Sequence, residues 1–335
     1  MKSSKNPLAK IMERLAKDPV VRRLAQRFRL LWLGALLAKV IYSRNTPSEK
    51  LPIYFLGEEL PSLEDWTRRL SQVRAGDFST EKADLIKSGA FDSIDSPAPL
   101  ASVICSIYKP GNHLVPFISN LVEQSVFPQV EVIIVLVQPT PLEERLLRVF
   151  SNDYPNIKLI VENDLISIYA AWNKAIANAD SEFLTNMNVD DIRHSQSLEI
   201  QISDLANNPD LDVVYQDVYY AYSAIESWAE IERIGIRSHL PEVTLSVLAQ
   251  GINAPHNAPM WRKRLHETVG LFDEDFKSAG DHDFWIRCAI NSAVFKKSEF
   301  CHVGYFINPE GMSTKRHSPG TKEGLMILRK YAKYA

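Results

Sequence analysis

Residues 167–191 read SIYAAWNKAIANADSEFLTNMNVDD. The pattern predicts a helix over 168–178 and a short strand over 182–187, with Asn188-Val189-Asp190-Asp191 directly after it. Working upstream, residues 101–107 (ASVICSI) form a short, partly β-branched apolar run, hence a buried strand. Pro110-Gly111 breaks the chain, and 113–124 reads as a helix. Residues 130–137 (VEVIIVLV) are a second buried strand, ended by Gln138-Pro139. A helix over 141–150 and a third strand over 157–161 follow. Strand and helix in alternation predict an α/β fold with a mostly parallel sheet flanked by helices. Ligands in such folds sit at the carboxyl ends of strands, here after Ile107, Val137 and Met187.

Composition sets the wider frame. The chain has 335 residues, 45% hydrophobic and 24% charged, which excludes wholesale disorder and allows a self-sufficient core. Its three cysteines, Cys105, Cys288 and Cys301, make no CxxC pair and no disulfide framework, in keeping with a reducing compartment. A net charge of −3 argues against a nucleic-acid binder. There is no GxGxxG, Walker loop, HExxH or GxSxG, so dinucleotide enzymes, P-loop NTPases, zincins and serine hydrolases lose their usual support.

The net charge is unevenly spread. Residues 1–45 carry eleven Lys and Arg against Glu13 and Asp18, a net of +9, which leaves −12 for the other 290 residues. Apolar residues at helical spacing make 1–45 a basic amphipathic helical region. Its longest apolar run, residues 30–38, is too short for a transmembrane span and lacks signal-peptide flanks. The region fits an interfacial helix on an anionic membrane surface, the reading its charge count favours, and it also fits a helix packed on the main body or a partner. Residues 46–97, rich in proline, serine and acids, read as a linker or accessory segment, with the main domain over 98–335.

Asn188, Asp190 and Asp191 are hard oxygen ligands at a strand end, suited to Mg²⁺ or Mn²⁺ held together with a diphosphate. Asp191 is also placed to cap a helix over 195–205.

Three blocks in order resemble family-two glycosyltransferases, of the subgroup that builds surface polysaccharides. Residues 167–191 resemble that family's GIYDAWNKGI…NADD block. ASVICSIYKPGNHLVPFISNLVEQSV resembles its opening strand and helix, and HNAPMWRKRLHETVGLFDEDFKSAGDHDFWIRC its later "vG.FDe.f…DydlwlR" block. The resemblance implies a GT-A fold (Rossmann-like, mostly parallel mixed sheet) with an N-terminal helical appendage. It implies a nucleotide-sugar donor, a UDP-sugar first, and Mn²⁺ or Mg²⁺ on Asp190 and Asp191. Donor contacts would come from Ser106, Tyr108, Asn173, Asn188 and Asp190, with Lys315 and Arg316 closing over the diphosphate. Asp281 matches the family's general base, and His256 and Asp283 would face the acceptor. Asp281 also fits as a helix cap, Asp283 as an i, i+4 partner of Arg287, and Lys315 with Arg316 as a solvated surface pair.

One departure concerns the donor. The family's VDDGS, whose first aspartate binds uracil, is here EVIIVLVQP, with Leu136 and Val137 in place of both aspartates and Gln138 beside them. Ser167 and Ala170 likewise replace the glycine and aspartate of GIYDA. The expected function is an inverting, metal-dependent transferase acting on a glycan or lipid-linked acceptor at the cytoplasmic face of a membrane. The alternatives are a non-catalytic, glycosyltransferase-like binding partner and, last, a nucleotidyltransferase.

Overall fold

A computed structural model describes residues 63–75, 98–222, 227–308, 311–313 and 318–335. The basic region 1–45, most of 46–97, and Lys315 with Arg316 lie outside the described residues.

The centre is a seven-stranded mixed sheet. Strands β1 (Ser102–Ile107), β2 (Glu131–Val137), β3 (Ile157–Glu162) and β4 (Phe183–Asn186) run parallel, in the spatial order β4-β1-β2-β3. Their continuous apolar sequences suit strands covered on both faces. Beyond β4 lie three short strands that sequence reading did not separate. They are β6 (Val213–Tyr215), β9 (Met260–Arg262) and β10 (Phe295–Lys297), with β9 antiparallel to both neighbours.

Alternate residues of β1 and β2 feed two cores. Val103, Cys105, Val132 and Ile134 face one way, onto α2 (Leu114–Val122), α3 (Pro141–Asp153) and α5 (Ser197–Ala206). Ile104, Ile133 and Val135 face the other, onto α4 (Ile168–Ala177) and α9 (Gly280–Ile290), where Trp172, Trp261, Phe284 and Trp285 interlock. The first turn of α3 is closed by a capping box between Thr140 and Glu143. The C-terminal α10 (Pro319–Lys330) adds Ile327 to the second core.

A second, four-stranded sheet lies beside the Asp190-Asp191 turn. It contains β5 (Ile192–Arg193), β7 (Tyr219–Ala221), β8 (Ile236–Arg237) and β11 (Val303–Phe306), in the order β5-β11-β7-β8. Helix α1 (Leu63–Ala75), inside the segment read as linker or accessory, buries Trp66 and Leu70 against Ala221 of β7 and Ile231 and Ile234 of α6 (Trp228–Ile234). Full burial of the Trp66 ring attaches it, since such a side chain contributes about 2–3 kcal/mol.

β1 is flanked by β2 on one side and β4 on the other, so the chain reverses its winding direction there. This is the topological switch point, where a crevice opens at the strands' carboxyl ends. Lys109 (φ 47°), two residues beyond β1, and Gln138 (φ 44°), the first beyond β2, both turn left-handed at its rim.

Candidate active site

The turn after β4 presents the two carboxylates. Met187 N–H donates to Ile104 O at 3.0 Å, which carries the β4 end alongside β1. Asn188 Nδ2 donates to Asp191 Oδ2 at 2.8 Å, and Phe306 N–H donates to Asp191 Oδ1 at 3.3 Å. Asn188 thus braces the turn from within. Asp191 is 8% exposed, and burial followed by repulsion from Asp190 pushes its carboxyl well above the usual range. Asp190 is half-buried. Burial raises its carboxyl too, opposed by the His113 charge and a hydrogen bond from Asn308. Asp191 does not cap the next helix: β5 intervenes, and α5 begins after Gln196 with no side-chain cap.

Behind this turn lies an arginine that sequence reading missed. Arg193 is 1% exposed. Its Nη2 donates to Thr185 Oγ1 (2.8 Å) and Asn186 O (2.7 Å), and its Nη1 to Gln201 Oε1 (2.8 Å) and Ser197 Oγ (3.2 Å). Asn120 of α2 bonds both the backbone N–H and C=O of Arg193. Burial draws the guanidinium down to about 10. The network ties β4, β5, α2 and α5 to the base of the carboxylate turn. The one signal in the sequence was a charge within the apolar pattern two residues after Asp191.

His113 was also missed. Its ring stands 5.7 Å from Phe306, and with Pro116, Asn120, Asp190 and Asp191 it lines a pocket of about 390 Å³. At the end of β1, Ser106 is half-buried, and Tyr108 is 41% exposed at the switch point. Leu136 and Val137 are buried in β2, at 1% and 2% exposure, so no carboxylate stands at that strand end.

The other carboxylate of interest is Asp281, in the first turn of α9. Its Oδ1 accepts from the Tyr169 hydroxyl (3.1 Å) and its Oδ2 from Asn253 Nδ2 (2.8 Å). Burial raises its carboxyl, with the Asn253, His282 backbone and Tyr169 hydrogen bonds acting the other way. The helix cap position belongs to Ala279.

Loop 250–259 links the two carboxylate sites. Asn253 bonds Asp281, and three residues on, the His256 ring stacks on Tyr220 (6.3 Å, 19°) and meets Tyr305 edge-on (5.8 Å, 72°). Tyr305 lies close enough to Asp191 and Asp190 for their charges to raise its hydroxyl, after burial. Burial takes the His256 imidazole down to about 4, so it is neutral at physiological pH.

Two expected site residues are placed elsewhere. Asn173, expected at the donor, is 6% exposed: Nδ2 donates to Phe272 O (2.9 Å) and Glu274 Oε1 (2.8 Å), and Oδ1 accepts from Phe272 N–H (3.1 Å). It fastens α4 to the loop before α9. Asp283, expected at the acceptor, is 1% exposed and held by Arg287 Nε (2.8 Å), Lys330 Nζ (2.7 Å) and the Tyr331 hydroxyl (2.8 Å). It joins α9 to α10. The pairing with Arg287 that its spacing allowed is the one formed.

The loop before Asp281 is gripped by Glu323 of α10, unremarked in the sequence. Its carboxylate accepts the backbone N–H groups of Lys277 (2.8 Å), Ser278 (2.8 Å) and Ala279 (2.9 Å).

Residues 102–268 match the family described as Glycosyl transferase family 2. An uncharacterized glycosyltransferase of Methanocaldococcus jannaschii is 24% identical over 209 residues, covering 59% of this chain and 67% of its own. Among solved structures, S. aureus TarS 1–349 in complex with UDP-GlcNAc superposes with a TM-score of 0.55 at 17% identity, and its complex with UDP with a TM-score of 0.51 at 17%. Each alignment covers 70% of this chain and 66% of the TarS chain, so the chain spans just under two thirds of those structures. Such identity speaks to the fold, and the strand order around the switch point agrees with it. Residues 102–268 thus form a glycosyl transferase family 2 domain on a GT-A fold.

Proposed function

We propose that the protein is a metal-dependent, inverting glycosyltransferase that moves a sugar from a nucleotide-diphosphate donor to a glycan or lipid-linked acceptor, in cell-surface polysaccharide or glycolipid synthesis. The observation that carries this reading is the pairing of two carboxylate sites across one loop. The Asp190-Asp191 turn lies at one end of the His256–Tyr305 contact, and Asp281 lies beyond it through Asn253.

A divalent ion fits the first site. Among the described residues no group of three or more His, Cys, Asp or Glu could hold a metal. The two buried carboxylates are oxygen donors whose charge is disfavoured until a cation joins them, and donor phosphate oxygens and water would complete the shell. Asp190 would be the main ligand, with Asp191 anchored behind it. Bound there, Mn²⁺ or Mg²⁺ would supply electrostatic stabilisation of the departing diphosphate.

Asp281 takes the proton. As the acceptor oxygen attacks the anomeric carbon, its proton passes to the Asp281 carboxylate, the bond from that carbon to the phosphate oxygen breaks, and the nucleoside diphosphate leaves. One displacement inverts the centre, so an α-linked donor yields a β-glycoside. His256, neutral and flanked by Tyr220 and Tyr305, supplies an aromatic wall on the acceptor side. Ser106 and Tyr108 would contact the nucleotide, and Lys315 and Arg316, outside the described residues, would bind its diphosphate. A UDP-sugar is the first candidate, as TarS was solved with UDP and UDP-GlcNAc.

Residues 1–45 would bring the enzyme to an anionic membrane surface on the cytoplasmic side. Among the described residues no helix is long and apolar enough to cross a membrane.

Leu136 and Val137 favour a second reading, a binding partner without turnover, because they stand where the family's VDDGS has its two aspartates. The test is turnover of UDP-glucose, UDP-galactose, UDP-N-acetylglucosamine and GDP-mannose with Mn²⁺ and with chelator. Turnover that needs the metal supports the enzyme. Absence of both turnover and metal-dependent nucleotide binding rejects it in favour of the partner.

A further inference from the structure

The Asp281 carboxylate is held from two sides by groups far away in the chain. The Tyr169 hydroxyl reaches Oδ1 from α4, and Asn253 Nδ2 reaches Oδ2 from loop 250–259. Tyr169 is 2% exposed, and its ring is set by Trp172 (5.4 Å, edge-on) and Phe272 (5.8 Å, stacked). It also lies directly on Gly280. A Cβ at that position would come within 2.7 Å of the ring, so any larger residue would push the phenol away from the neighbouring carboxylate. The glycine of GDHD and the tyrosine of SIYAAWN therefore serve one contact.

We propose that Tyr169 and Asn253 are positioning residues for Asp281: their two donors orient the carboxylate and favour its ionised form, readying it to take a proton from an acceptor hydroxyl. This rests on Asp281 being the base. Oδ1 accepts from Tyr169 and Oδ2 from Asn253, and backbone N–H groups of the first helical turn add to these two. Burial and the Asp281 charge keep the phenol protonated, so it donates to the carboxylate while backbone N–H groups of Asp281 and Gly280 favour its oxygen as an acceptor.

The other titratable groups nearby are occupied elsewhere. His282 bonds Leu248 O, and Asp283 bonds Arg287, Lys330 and Tyr331. Glu323 accepts backbone N–H groups of the preceding loop, and His256 is neutral. The cost of burying the Asp281 charge is thus offset by Asn253, Tyr169 and backbone N–H groups.

The test is a titration of the full chain labelled with ¹³C-aspartate, with the Asp281 resonance assigned by its absence in Asp281→Asn. Tyr169→Phe keeps the ring on Gly280 and removes one donor; Asn253→Ala removes the other. Each variant is expected to raise the Asp281 midpoint by about one pH unit. With the donor that turns over, Tyr169→Phe is expected to lower kcat by roughly ten-fold at unchanged donor KM and to move the acid limb of the rate profile upward. Should one variant fail to fold, the other carries the test. Unchanged midpoints in folded variants overturn the positioning role and leave the base untouched. Full activity of Asp281→Asn overturns the base itself, whatever the midpoints.

Discussion

Replacing Arg193 with methionine removes the buried cation beneath the carboxylate turn while keeping an unbranched apolar stem. Four acceptors lose their donor: Thr185 Oγ1, Asn186 O, Gln201 Oε1 and Ser197 Oγ, at 2.7–3.2 Å in the native protein. A hydrogen bond to a charged group contributes about 1.5–3 kcal/mol, and an acceptor left buried without a donor costs about 1–3 kcal/mol. Against this stands relief from burying an incompletely paired guanidinium, since Arg193 Nε has no partner among the described residues. The losses outnumber the gain, and the net is a destabilisation of about 3–5 kcal/mol. Arg193→Lys should recover less than half, because one ammonium cannot reach all four acceptors on β4 and α5. Urea unfolding followed by tryptophan fluorescence reads the change as a lowered midpoint at unchanged slope. Nucleotide binding with Mn²⁺ should weaken too, at temperatures where the variant is still folded, because β5 continues directly from Asp191. Wild-type or greater stability in the methionine variant would refute the reasoning and make the network dispensable to the turn.

Three further outcomes follow. Burial pushes the Asp283 carboxyl up, but the bonds from Lys330, Arg287 and Tyr331 outweigh it and hold it below the ordinary range. Its contribution to stability is therefore present above the unfolded carboxyl range, near pH 4, and is lost as pH falls through the lower folded value. Asp283→Asn should cost about 2 kcal/mol at pH 7 and flatten the acid side of the stability curve, read by urea midpoints from pH 7 to 3. Asp190→Ala should abolish the Mn²⁺-dependent part of UDP binding by calorimetry, and equal affinity with and without metal in wild type would contradict the assignment. Deleting residues 1–45 should release the protein from vesicles of anionic lipid, and unchanged sedimentation with the vesicles would remove the membrane role.

The parallel half of the central sheet was legible because strands covered on both faces are written as unbroken apolar runs, as in 130–137. The second sheet was not, since β5 and β8 are two residues each and exist through their pairing with β7 and β11. At the site, Asp190 and Asp281 stood out by block and order. The contacts of Asn173 were not legible because helical spacing does not say which neighbour meets a side chain. Its partners, Phe272 and Glu274, lie about a hundred residues downstream. Asp283 carried both its options in the sequence, and the choice fell to Lys330 at the end of α10 and Tyr331 just after it, invisible from α9 alone. The roles of Tyr169, Asn253, Glu323 and Arg193 were not legible for the same reason: each acts through a contact set by the fold, which neither the SIYAAWN block around Tyr169 nor the lone charge at Arg193 discloses.

The central claim, that Asp281 takes the acceptor proton in a metal-dependent transfer, is tested most directly by comparing Asp281→Asn with wild type for sugar transfer and for Mn²⁺-dependent nucleotide binding in the same preparation. The account predicts that binding is retained while transfer falls by at least about a thousand-fold. Transfer within ten-fold of wild type would contradict it.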